Sequence, residues 1–174
     1  MRVLLSLCRL IDAINERIGK AVSWLVLAAV AVSAINAAVR YLFDTNSNAW
    51  LELQWYLFSA VFLLCAGYTL LRNEHIRIDI VTGRLSPRAR AWIDLLGGLF
   101  FLLPMALIIT WLSIPVLQDS YVRDEISSNA GGLLRWPVKL LIPVGFALVS
   151  RQGRSEIGKR AGFIAGMIPD RCNR

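Results

Sequence analysis

One histidine, three cysteines and twelve carboxylates are what this chain offers to chemistry, and their placing excludes most of it. His75 stands in the charged stretch RNEHIRIDI, where it cannot serve a membrane-embedded serine nucleophile. A single histidine also cannot supply the paired ligands that a b-type haem needs on facing helices. Cys8, Cys65 and Cys172 are odd in number, form no CxxC pair and fall in three separate segments, so neither a disulfide nor a metal site is expected. A proton or sodium relay needs ionisable groups near the middle of the bilayer. Here Arg40, Glu52 and Asp94 stand at the ends of apolar runs, and only weakly polar groups such as Ser33, Asn36, Ser59 and Thr110 lie deeper. Neither an enzyme nor a bound cofactor is expected.

Those residues are carried by long apolar elements. Hydrophobic residues make up 56% of the 174, charged residues 18%, and the apolar ones are gathered in runs instead of periodic stripes. The fold class expected is an all-α integral membrane protein: four transmembrane helices preceded by an amphipathic interfacial helix, with both termini cytoplasmic. The whole of 1–174 reads as a single membrane domain. Residues 1–20 place Val3, Leu4, Leu7, Ile11, Ile14 and Ile18 at helical spacing, which suits a helix lying on the membrane surface. A cleaved signal peptide is disfavoured by Arg9 and Asp12 within that stretch, and a lipoprotein site by the bulky Leu7 before Cys8. Spans are expected at about 21–42, 51–71, 91–117 and 133–150, with 151–174 as a cytoplasmic tail. Ser86 and Pro87 start the third helix as N-cap and first-turn proline, and Pro104 and Pro115 are its expected kink points. The fourth run is short, because only the residues between Lys139 and Arg151 are free of charge, and it needs Arg135, Lys139, Arg151 and Arg154 to reach toward the interfaces.

Charge orients the bundle. Arg2, Arg9, Arg17 and Lys20 precede the first span, Arg72, Arg77, Arg84, Arg88 and Arg90 lie between the second and third, and six basic residues follow Ser150. Only Arg40, Arg123, Arg135 and Lys139 fall on the other side, a positive-inside asymmetry that puts both termini in the cytoplasm and favours an even number of spans. The net charge of +7 is therefore topological, and no basic helix or aromatic platform for nucleic acid accompanies it.

Three stretches carry a resemblance: RYLFDTNSNAWLELQWYLF (Arg40 to Phe58), RNEHIRIDI (Arg72 to Ile80) and SSNAGGLLRWPVKLLIPVGF (Ser127 to Phe146). Together they resemble the small, Q-type membrane subunit of tripartite ATP-independent periplasmic (TRAP) transporters, over roughly residues 10 to 150. The resemblance implies a bacterial inner-membrane protein that pairs with a much larger membrane subunit. That larger subunit carries the sodium and substrate sites, and a soluble periplasmic solute-binding protein delivers the substrate, typically an organic acid. The chain departs from this family at SRQGRSEIGKR, where apolar residues usually continue the last helix. This leaves a fourth helix that is shorter, ends early or is marginally inserted.

Candidate contacts to the partner subunit or to lipid are Asn36, Arg40, Trp50, Glu52, Trp55, Arg72, His75, Arg77, Asp79, Trp136 and Lys139. Each has a plainer reading. Glu52 either pairs, with Arg40 or with a basic residue of the partner, or is simply hydrated at the interface. Trp50, Trp55 and Trp136 are also what an aromatic belt contains, and the His75, Arg77 and Asp79 group is also a topology signal. The small residues Ala28, Ala31, Ala34, Ala37 and Ala38 permit close helix contact within the chain or against the partner. Two other functions stay open at this point: a self-sufficient homodimeric small transporter, and a tetraspan membrane assembly protein.

Overall fold

The computed structural model describes residues 2–44, 47–72 and 85–166, with the side chains of 2–5 left aside. Four long helices carry the architecture: α1 (Arg2–Phe43), α2 (Asn48–Arg72), α3 (Pro87–Val122) and α4 (Trp136–Ile164). Of these, α1, α2 and α3 are long and apolar enough to cross a membrane. Among the described residues no strand forms, only an isolated bridge between Ile126 and Leu134 in the connection from α3 to α4. Glu16 meets Arg72 and Gly19 meets Tyr68, so α1 and α2 are antiparallel. Asp94 meets Arg160 while Glu125 meets Lys139, so α3 and α4 are antiparallel too.

The interior is made of small and polar residues, and the large apolar ones point outward. Among the described residues, Leu148 is the one large side chain in a buried apolar set whose smaller members include Cys8, Val22, Ala29, Ala60, Ala91, Ala106 and Pro143. Trp24, Phe62, Phe101 and Trp111 are all more than two-thirds exposed, the reverse of a water-soluble core. In lipid this distribution is stable, because tails solvate Phe and Trp as well as a core would, and small residues let backbones come close. Gly145 of α4 shows how close: a Cβ there would stand 2.7 Å from the Leu63 carbonyl oxygen of α2.

Two expectations need correction. The segment 1–20 is not a separate interfacial helix, since α1 runs unbroken from Arg2 to Phe43. Cys8, Asn15, Val22 and Ala29 are buried and recur every seven positions across the supposed boundary, with Gly19 also buried between them, so a single seam packs against the rest of the bundle. Gly19 does not break the helix, because it is where the Tyr68 ring packs: a Cβ there would lie 2.4 Å from Tyr68 Cγ. The apolar face carrying Leu7 and Ile14 is exposed, as lipid contact would have it.

Nor is 151–174 simply a tail. α4 continues to Ile164 with Gln152, Gly153, Ser155 and Gly162 buried, so the fourth helix does not end early. Two of the charges that seemed to forbid continuation are neutralised by α1 and α3: Lys159 reaches Asp12 at 2.7 Å, and Arg160 reaches Asp94 at 3.2 Å, while Arg151 and Arg154 are exposed.

In α3 the proline kink point has a definite form. Ser86 caps the helix by accepting from the Ala89 N–H at 3.3 Å, with Pro87 in the first turn. A π turn then occupies Gly98–Leu102, immediately before Pro104. Pro104 has no N–H to give the Phe100 carbonyl, and the wider turn lets the Leu103 N–H reach the Gly98 oxygen instead. Pro115 lies within the helix without ending it.

Candidate functional site

Two polar clamps and one open notch take in Asn36, Arg40, Glu52, Trp136 and Lys139 of the singled-out residues. The first clamp joins the start of α2 to the α3–α4 connection. Glu52, one turn into α2, accepts from the Ser127 hydroxyl and, at 2.8 Å, from Asn129 Nδ2 through the same oxygen, while its other oxygen takes the Leu133 N–H at 2.7 Å. Tyr56, one turn further, donates to the Leu134 carbonyl at 2.9 Å, and Asn48 donates to that of Ala130 at 3.1 Å. The pairing of Glu52 with Arg40 considered from sequence does not form: within the chain its partners are hydroxyl, amide and backbone donors. The polar run SSNAGG folds against the carboxylate because backbone donors in a loop near lipid must find acceptors within the protein.

The connection is held from its other side as well. Lys139 donates to Glu125, Arg135 lies 4.0 Å from the same carboxylate, and the Arg135 N–H bonds the Glu125 carbonyl at 2.8 Å. The hydrogen bond from Lys139 holds the Glu125 carboxyl below its ordinary range. Trp136 stands edge-on to Tyr121, ring centres 5.5 Å apart, so it anchors the start of α4 inside the chain.

The second clamp ties the amino-terminal part of α1 to the far part of α4. Gln152, fully buried, receives Asn15 Nδ2 at 2.7 Å and donates to Asp12 at 2.9 Å. Ser155 donates to Asp12 at 2.9 Å, and Lys159 bridges Asp12 and Glu156, each at 2.7 Å. Nothing in the sequence reading found this network. The signal was present, since Asp12, Asn15 and Glu16 share one helix face and Gln152, Ser155, Glu156 and Lys159 share another. Arg72 is likewise internal: it pairs with Glu16 at 3.2 Å, and its guanidinium lies over the Tyr68 ring.

What stays open to the outside is fewer. Trp50 and Trp55 are exposed at the start of α2. Asn36 and Arg40 line a notch of about 570 Å³ between α1 and α2 together with Ser33, Asp44 and Gln54. A second, mainly apolar groove of about 740 Å³ runs between α2, α3 and α4, with Asp94 and Arg160 at one end. His75, Arg77 and Asp79 lie outside the described residues. Among the described residues, no group of three or more histidines, cysteines or carboxylates is placed to hold a metal ion.

Such an arrangement braces helices and presents apolar and notched faces to something else. Searches of curated proteins and of solved structures returned no match. A family model described as "Tripartite ATP-independent periplasmic transporters, DctQ component" matches residues 29–153, which spans α2, α3, the whole Glu52 clamp and Gln152 of the second. The chain therefore belongs to the DctQ family: it is the small membrane component of a TRAP transporter, not an enzyme.

Proposed function

We propose that this chain is the four-span small subunit of a sodium-coupled importer of organic acids in the bacterial inner membrane. It braces a larger membrane subunit that carries the sodium and substrate sites, and a periplasmic solute-binding protein delivers the substrate. In this reading the fourth crossing, over about 133–150, runs through the first half of α4, aided by Trp136 and the basic residues at both ends, and both termini are cytoplasmic.

The observation that supports a bracing role is how the ionisable groups are spent. Glu52 and Glu125 hold one end of the bundle together, and Asp12, Glu156 and Lys159 hold the other. A transport path needs ionisable groups that face a cavity and change partners, whereas these are engaged within the chain. Two rigid clamps with apolar surface between them suit a fixed bracket beside a moving neighbour.

Deleting this chain from the complete transporter should abolish uptake while the soluble component still binds substrate. Unchanged uptake after deletion would overturn the proposal. The purified chain alone in liposomes should move no organic acid along a sodium gradient, and transport there would favour the homodimeric alternative.

A further inference from the structure

The notch between α1 and α2 is more specific than its volume suggests. Ser33, Asn36 and Arg40 follow one another at three- and four-residue steps, so they form one stripe along α1, and Asp44, just past its end, and Gln54 of α2 border it. Asn36 lies seven residues before the end of α1 at Phe43, and Gln54 six after the start of α2 at Asn48. Each is therefore sunk roughly 10 Å below the helix ends at about 1.5 Å per residue. Ile35, Leu42 and Leu51 beside them are exposed and apolar, which places the stripe at lipid depth.

Several polar side chains elsewhere in the spans do have partners within the chain. Thr69, Thr110, Ser113 and Ser150 each donate to a carbonyl of their own helix, and Asn15 donates to Gln152. Asn36, Arg40 and Gln54 make no hydrogen bond or ion pair among the described residues, and Arg40 does not pair with Asp44 one turn away. Arg40 has a stem long enough to bring its charge toward the headgroups. The amides of Asn36 and Gln54 have no such reach, and an unsatisfied amide in hydrocarbon costs several kcal/mol.

Something polar must cover them, and it must come from within the membrane. We propose that this stripe is the docking line for the larger membrane subunit, which lays one membrane helix along it. Resting on the function proposed above, this adds both the face and its chemistry. A guanidinium offers five donors and no acceptor, so the incoming helix must supply acceptors at the level of Arg40, a carboxylate or unpaired backbone carbonyls. Groups able to exchange hydrogen bonds with the two amides belong about one turn deeper. The soluble binding protein is excluded by depth.

The test uses the complete transporter in its native membrane, with a photo-cross-linking residue placed at Asn36 or, on the exposed face of α3, at Trp111. Cross-links to the larger subunit should form from position 36 and not from 111. Links from 111 alone, or from 36 to lipid or the soluble protein alone, would overturn the docking line. As a second arm, the double change Asn36→Leu with Gln54→Leu should lower co-purification of the larger subunit at least tenfold. Leucine favours insertion, so loss of the complex would not reflect loss of the membrane protein. If the double variant retains the larger subunit fully, the stripe inference falls and the bracing role survives. If the unaltered chain co-purifies with no larger membrane subunit, both fall.

Discussion

Glu52 illustrates how a carboxylate near lipid is satisfied without a cation at hydrogen-bond distance. Three donors converge on it, one of them the Leu133 backbone N–H, which has no sheet or helix to turn to. Glu52→Ala should strip all three at once and free the 123–135 connection, raising hydrogen exchange at the Leu133 amide roughly tenfold or more. Glu52→Gln keeps an acceptor oxygen and should do less. Equal protection in Glu52→Ala and the unaltered chain would show that the clamp holds nothing. The neighbouring Glu125 makes a pH prediction with a definite sign. Its carboxyl is held below the ordinary value of 4.5, chiefly by the hydrogen bond from Lys139. A depressed carboxylate stabilises the folded form fully above its unfolded value, and that contribution is lost as pH falls through the folded one. Protection of the Arg135 amide should therefore be flat from neutral down to the ordinary carboxyl value of 4.5 and decline only below it. A decline centred near pH 6 would assign the effect to another group.

Between elements, helix contacts here depend on what is absent from a side chain. Gly145→Ala would set a methyl group against the Leu63 carbonyl, a backbone atom that cannot rotate away. The variant should lose about 1–3 kcal/mol as α2 and α4 are pushed apart, read as a lower midpoint of thermal unfolding in detergent. Gly97→Ala is the matched control, since nothing lies within 4 Å of the added carbon and alanine favours helix. Its midpoint should stay or rise. The contrast between elements read correctly and incorrectly from sequence follows from the same physics. The apolar runs of α1, α2 and α3 were legible because hydropathy is a local property, and so was the Ser86–Pro87 helix start. The far half of α4 was not, because Gln152, Ser155 and Lys159 read as tail until Asp12 and Asn15 are set beside them. Pairing across 140 positions has no local signature. The candidate contacts divided on the same line: Arg72, Trp136 and Lys139 turned out to have partners inside the chain that sequence spacing does not reveal.

At the scale of the whole molecule, charge and packing make separate claims about how the bundle sits. Basic residues gather at one level of the bundle, near Lys20 of α1, Arg72 of α2, Arg88 of α3 and Arg151 of α4, and the antiparallel pairs bring these parts together: Glu16 meets Arg72, and Asp94 meets Arg160. If α4 crosses the bilayer, Ala130 and Ala165 lie on opposite sides of it; if α4 is only partly inserted, both can be reached from the same side. Both residues are exposed, and the native Cys8 and Cys65 are buried or half-buried, so a Cys172→Ser background keeps other thiols quiet. In intact cells, a membrane-impermeant thiol reagent should label Ala130→Cys, whereas Ala165→Cys should react only once the membrane is opened. Labelling of Ala165→Cys from outside would reverse the terminus, make the number of crossings odd, and part Lys159 from Asp12 across the membrane, against both the clamp and the positive-inside rule.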